Sequence, residues 1–139
     1  MPETPLIEIV RAAVGEVASA ELPDVDRVAR AYAKAPAAAR RAGRANGNGP
    51  AVALLAVAVS ADLCGQPLVT GPRTRPAEWW DRLRRRGRPD LDRAPPPVAE
   101  PDAARLEAVA VVTARERGAS DEVATAIGAA LARHWPRRS

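Results

Sequence analysis

The chain is poor in aromatic side chains. It has no phenylalanine, one tyrosine, three tryptophans and one methionine in 139 residues. A core must therefore come from Ala, Val, Leu and Ile. Each of these buries little area, at about 25 cal/mol per Å² of apolar surface. Such a recipe requires helices that pack closely, or further burial through association. A homo-oligomer is accordingly an expectation from composition. Cysteine occurs once, as Cys64, which excludes an internal disulfide. With no targeting segment read in the sequence, a reducing cytoplasm is the expected compartment. Histidine also occurs once, as His134. One histidine and one cysteine cannot assemble a zinc site within a single chain, and no metal or cofactor is expected. Lysine is nearly absent: of 21 basic residues only Lys34 is not arginine. Long apolar runs are missing too. A bilayer-spanning helix needs about 20 apolar residues, and the longest candidate here falls short.

That candidate, Pro50 to Cys64 (PAVALLAVAVSADLC), organises the chain. From Ala51 to Ala61 it has no charge and one hydroxyl, Ser60. A segment without a polar face must be covered on all sides. Short apolar runs can be strands or helices. Val52, Val57 and Val59 favour a strand. Ala51, Ala53, Ala56, Ala58 and Ala61 favour a helix. Pro50 suits a first turn and Gly65 a stop just past the end, and the balance is a buried helix over 50–64.

The flanking sequence reads as wrapping. A first helix is expected over residues 5–21, with Thr4 as N-cap and Leu6, Val10, Val14 and Val17 as its inner stripe. Pro23 breaks the chain, and a second helix opens at Asp24 or Leu22, burying Val25, Val28 and Tyr32 and leaving Arg27, Arg30 and Lys34 in solvent. Pro36 ends or kinks it. Residues 37–43 continue as a turn or two of helix, and Asn46-Gly47-Asn48-Gly49 is a loop signal. Near the C-terminus a helix capped by Asp102 presents Leu106, Val109, Ala110 and Val112 inward and closes at Gly118. Another is capped by Ser120, with Asp121 and Glu122 complementing its N-terminal dipole. Val123, Ile127, Ala130 and Leu131 face inward, and Pro136 stops it.

Between these halves the texture changes. Eight of the fourteen prolines fall between Gly65 and Pro101. A short helix at 76–86 is expected within this stretch, opened by Pro76, closed by Gly87 and supported by the Glu78–Arg82 spacing. The remainder, residues 88–100, reads as extended. Charge follows the same division. Net charge is +4. Residues 1–64 carry 7 basic and 7 acidic groups, residues 65–101 carry 8 and 5, and residues 102–139 carry 6 and 5. The abundance of Ala, Arg, Pro and Gly also matches a GC-rich coding bias, which accounts for part of the basicity.

Two constellations bear on function. Trp79, Trp80, Arg82, Arg84, Arg85 and Arg86 combine the residue types that dominate binding hot spots, and arginine stacks on indole. They are the candidate partner-contact residues, for a protein or an acidic surface. Stacking plus charge would also serve single-stranded nucleic acid, through the Arg-rich 73–93 segment. Residues 110–133 loosely resemble the spacing of a helix-turn-helix, with Ala114, Gly118, Ser120, Ala124 and Ile127. Against that, Asp121 and Glu122 open the would-be recognition helix and repel phosphates. Base-reading side chains are missing until Arg133.

Catalysis finds little support. Glu8, Glu16, Glu107 and Glu116 sit at spacings of solvated helix faces. Cys64, at a helix C-terminus, is placed against thiolate formation. No catalytic residue is assigned. The expectation is an all-α protein: a single domain of about six helices around the buried 50–64 helix, with a Pro/Arg-rich insertion. Its expected role is a non-catalytic protein-interaction module, an adaptor or accessory subunit, with no membrane contact. A nucleic-acid-binding protein is the alternative.

Overall fold

The computed structural model describes residues 4–35, 51–66 and 91–138. Five α-helices lie within them: α1 (Leu6–Val17), α2 (Val25–Lys34), α3 (Val52–Cys64), α4 (Ala103–Glu116) and α5 (Asp121–His134). Two short 3₁₀ stretches, Ser19–Asp24 and Glu100–Asp102, precede α2 and α4. A two-residue parallel pairing joins β1 (Val98–Ala99) to β2 (Arg137–Arg138). The protein is thus mostly helical. The expected helices at 37–43 and 76–86 and the Asn46–Gly49 loop lie outside the described residues.

The apolar run is α3, and its backbone is helical rather than extended. Residues Ala53–Ser60 and Leu63 are buried. The helix separates two hydrophobic clusters, which explains why it has no polar side. Leu55, Val59 and Leu63 face a cluster containing Leu106, Ala110, Ala114, Ile127, Leu131 and Trp135. Ala53, Leu54, Ala56, Val57 and Ala58 face a second, with Val25, Ala29 and Tyr32. α1 is divided likewise, sending Leu6, Ile9 and Ala13 into the first and Val10 and Val14 into the second. α3 packs against α1, α2, α4 and α5. Ser60 is the buried polar residue of the described core, and its hydroxyl donates to the Ala56 carbonyl oxygen at 2.6 Å.

The ends of α3 are fastened by charged groups from elsewhere. The first amides of a helix have no intrahelical acceptor. Glu21 supplies one: its Oε2 accepts from Val52 N at 3.2 Å and its Oε1 from Ala53 N at 3.1 Å. This requires the chain to depart from the expected helix over 5–21. α1 stops at Val17, Ala18 takes φ −150° and ψ 73°, and a tighter 3₁₀ stretch carries Glu21 to α3. Pro23 opposes a continuous α-helix here, since its ring would clash with the carbonyl four residues back. The opening of α1 also differs from expectation. Pro5, not Thr4, is its N-cap residue, and no side chain caps it.

α4 and α5 form an antiparallel hairpin. Gly118 has φ 99°, a left-handed conformation that suits glycine. Ala119 N donates to Ala114 O at 3.0 Å and Gly118 N to Arg115 O at 3.0 Å, the bond pair of a Schellman stop. Ser120 caps α5 as expected, its Oγ accepting from Val123 N at 3.2 Å. Asp102 does not cap α4 by its side chain and instead closes the preceding 3₁₀ turn. The inner ridge of α4 is Leu106, Ala110 and Ala114, while Val112, expected inside, is 51% exposed. Two residues beyond Ala110 is about 200° around the helix, so both cannot face the same neighbour.

Candidate functional site

Trp79, Trp80, Arg82, Arg84, Arg85 and Arg86 lie outside the described residues, as does most of the Arg-rich 73–93 segment. The structure does describe both footings of the stretch that carries them. It leaves from the end of α3, where Gln66 N donates to Leu63 O at 3.0 Å. It returns at Leu91, half-buried against the α1–α2–α3 cluster. There the first two amides of α1 take acceptors from the returning chain: Ile7 N donates to Leu91 O at 3.1 Å, and Leu6 N to Arg93 O at 2.9 Å.

From Leu91 the chain crosses the bundle as a strap, through Pro95, Pro96 and Pro97, to Val98, which is buried in the other cluster. Residues 88–100 were expected to be extended, and the part of them from Ala94 to Ala99 contains no helix. The C-terminal tail holds its far end. Trp135 is buried, and its indole N–H donates to Pro96 O at 3.1 Å. Val98 N donates to Pro136 O at 3.0 Å. Arg137 donates to Trp135 O and Ala132 O, each at 2.8 Å, and pairs with Glu100 at 3.2 Å. Trp135 carries more core volume than any other buried side chain described, yet no periodic pattern marks it, because it stands just past the end of α5. The available signal was scarcity: in a chain this poor in aromatics each large ring is a candidate core anchor.

At the C-terminal ends of α1 and α5, Glu16 accepts from both Arg133 and His134, with His134 Nε2 at 2.8 Å from Glu16 Oε1. The hydrogen bond from His134 is the main reason the Glu16 carboxyl titrates below its usual value. Glu16 is therefore not merely part of a solvated face, as its spacing implied. A glutamate–histidine pair can serve a general base, but here both groups are spent joining two helices. The Ser60 and Thr113 hydroxyls donate to backbone carbonyls one helical turn back, and the Ser120 hydroxyl oxygen serves as a cap. Cys64 is half-buried, and desolvation pushes its thiol up to about 12, which leaves it protonated and inert near neutrality. Among the described residues no group of three or more His, Cys, Asp and Glu side chains could hold a metal ion.

The segment of the helix-turn-helix resemblance is the α4–α5 hairpin. α5 buries Ala124, Ile127, Gly128, Ala130, Leu131 and Ala132, and it packs on both α1 and α4. Its exposed positions are Asp121, Glu122, Thr125 and Arg133. Two carboxylates at the entering end disfavour a phosphate backbone. Among the described residues no helix is long and apolar enough to cross a membrane.

No protein-family description, no curated protein and no solved structure matches this chain.

Proposed function

We propose that the protein is a non-catalytic helical interaction module, an adaptor or accessory subunit that captures another protein through the Trp79–Arg86 segment. In this reading Trp79 and Trp80 supply apolar contact area, and Arg82, Arg84, Arg85 and Arg86 supply charge and stacking. A sixth, Trp-bearing helix at 76–86 would present them.

The observation that carries this reading is the placement of charge. Of the 21 basic and 17 acidic side chains, 11 and 13 fall in the described residues, leaving 10 and 4 for the rest. The helical body is thus slightly acidic, and the basic excess belongs to the connecting stretches 36–50 and 67–90. Arginines on the helices, such as Arg27, Arg105 and Arg133, are paired with Asp24, Asp102 and Glu16, whereas in the two connecting stretches basic residues outnumber acidic ones. The body also has its own large core residues in Trp135 and Tyr32.

The test is capture of partners from host extract by the full chain and by Trp80→Ala, with mass spectrometry of what is retained. Trp80→Ala should lose the specific partner while its thermal unfolding stays that of the wild type. Equal capture by both would remove this epitope. Gel shifts on single- and double-stranded nucleic acid across a salt series decide the alternative. Arginine–phosphate contacts weaken steeply as salt rises, and absence of any shift at low salt eliminates nucleic acid as the partner.

A further inference from the structure

The strap over residues 91–99 has two fastenings on opposite clusters of the core. At one end its carbonyls, Leu91 O and Arg93 O, are the acceptors for Ile7 N and Leu6 N. These are amides that α1 cannot satisfy within itself, so the strap is the N-terminal cap of α1. At the other end Trp135, Pro136 and Arg138 of the C-terminal tail bond Pro96 O, Val98 N and Pro97 O. The tail is in turn set by Arg137, which reaches Ala132 O in the last turn of α5, Trp135 O just past its end and the Glu100 carboxylate. Between Arg93 O and Pro96 O stand only Ala94 and Pro95, and the far fastening falls on the next two prolines, Pro96 and Pro97. Proline fixes φ and has no N–H, and consecutive prolines form semi-rigid spacers. A flexible connection would absorb movement at one end. A proline-stiffened one would pass it on.

We propose that the strap and the C-terminal tail form a single clasp, in which release of the tail from Pro96–Val98 also loosens the cap on α1 at the far end. The clasp begins where the 67–90 stretch ends. A pull on that stretch therefore acts first on the cap of α1 and, through the prolines, on Trp135. Leu91 packs half-buried against one core cluster and Val98 is buried in the other, so a shift of the strap unseats an apolar residue at each end. That double cost is what makes the two fastenings open together.

Residue-resolved amide hydrogen exchange on the full chain tests this. The reporters are Val98 at the tail, Leu6 and Ile7 at the α1 cap, and Val59 inside α3 as the reference. Arg137→Ala removes the side chain that sets the tail but leaves the strap sequence intact. Relative to Val59, exchange at Val98 and also at Leu6 and Ile7 should rise roughly fivefold, the loss of about one net hydrogen bond. A rise at Val98 alone overturns the proposal, because the fastenings are then independent. An equal rise at all four amides also overturns it, because the change is then global. Trp135→Phe, which keeps an aromatic ring but removes the N–H donor to Pro96 O, should give the same pattern if Arg137→Ala fails to fold.

Discussion

At the scale of single residues, a glycine and a cysteine show how position overrides type. Gly128 stands in the middle of α5, where glycine costs about 1 kcal/mol relative to alanine. A methyl group there would overlap the Val111 side chain of α4 and lie 3.1 Å from Glu107 O and 3.2 Å from Val111 N. The neighbours are backbone and a β-branched side chain with little rotamer freedom in a helix, so neither can move aside cheaply. Overpacking costs about 1–3 kcal/mol, which exceeds the propensity gained. Gly128→Ala should therefore lower the urea midpoint with the slope unchanged. A raised midpoint would show that the hairpin can open and the Val111 side chain shift enough to admit the methyl group. Gly128 was not recognisable in sequence, because a glycine within a helical pattern has no mark that distinguishes close approach from tolerance. Cys64 was readable, since a helix C-terminus and an apolar neighbourhood both act against a thiolate, and its thiol is pushed up to about 12.

At the scale of elements, the notable feature is how α3 starts. It contains no acidic residue in its first turn, and an apolar helix with no cap of its own would leave amides unsatisfied in a half-buried place. Glu21, 31 and 32 residues earlier in the chain, accepts from two of them. Its negative charge also complements the positive end of the helix dipole. Glu21→Ala should cost about 1–2 kcal/mol, comparable to the loss of a strong N-cap. Glu21→Gln should cost less, since an amide oxygen still accepts one bond. Equilibrium unfolding of both variants checks this, and two variants as stable as the wild type would mean that water replaces the carboxylate freely. The local signals of α5, by contrast, are confined to a few adjacent residues: Ser120 as cap, acidic residues behind it and Pro136 beyond the end. Such signals survive without knowledge of any partner, and for that reason α5 matches expectation closely.

At the scale of the whole molecule, ion pairs join helices at the edges of an otherwise aliphatic core. Arg117 reaches Asp62 at 2.6 Å, with side chains 16% and 33% exposed, and ties the α4–α5 turn to the end of α3. Arg11 bridges Glu8 of its own helix and Asp26 of α2. Glu16 joins α1 to the end of α5 through Arg133 and His134. Because folding lowers the Glu16 carboxyl below its usual value of 4.5, its contribution is fully present above that value. It is lost as pH falls through the lower folded value. The stability difference between wild type and Glu16→Gln should hold from pH 6 to about 4.5 and close towards pH 3. The pair is well exposed, so the difference itself should stay within about 1 kcal/mol. Chemical denaturation at several pH values measures it, and a gap unchanged at pH 3 would show that the carboxylate has no part in it.

The sequence by itself determined that this protein is mostly helical and that the apolar run read as a helix over 50–64 is covered, as Ala53–Ser60 and Leu63 are. Those conclusions need only local facts: the alanine content of the run, the lack of a polar face, and the apolar stripes of α1, α2 and α5. They hold whatever the neighbours are. Tertiary structure alone decided where α1 stops, which face of α4 turns inward, and which distant groups serve as caps. It decided that Val112 is outside while Trp135 is inside, that Glu16 holds two helices together, and that a strap crosses from one core cluster to the other. Each of these depends on a partner tens of residues away along the chain, and a linear pattern does not encode which surfaces meet. Periodicity fixes the faces of an element; only packing fixes what each face touches.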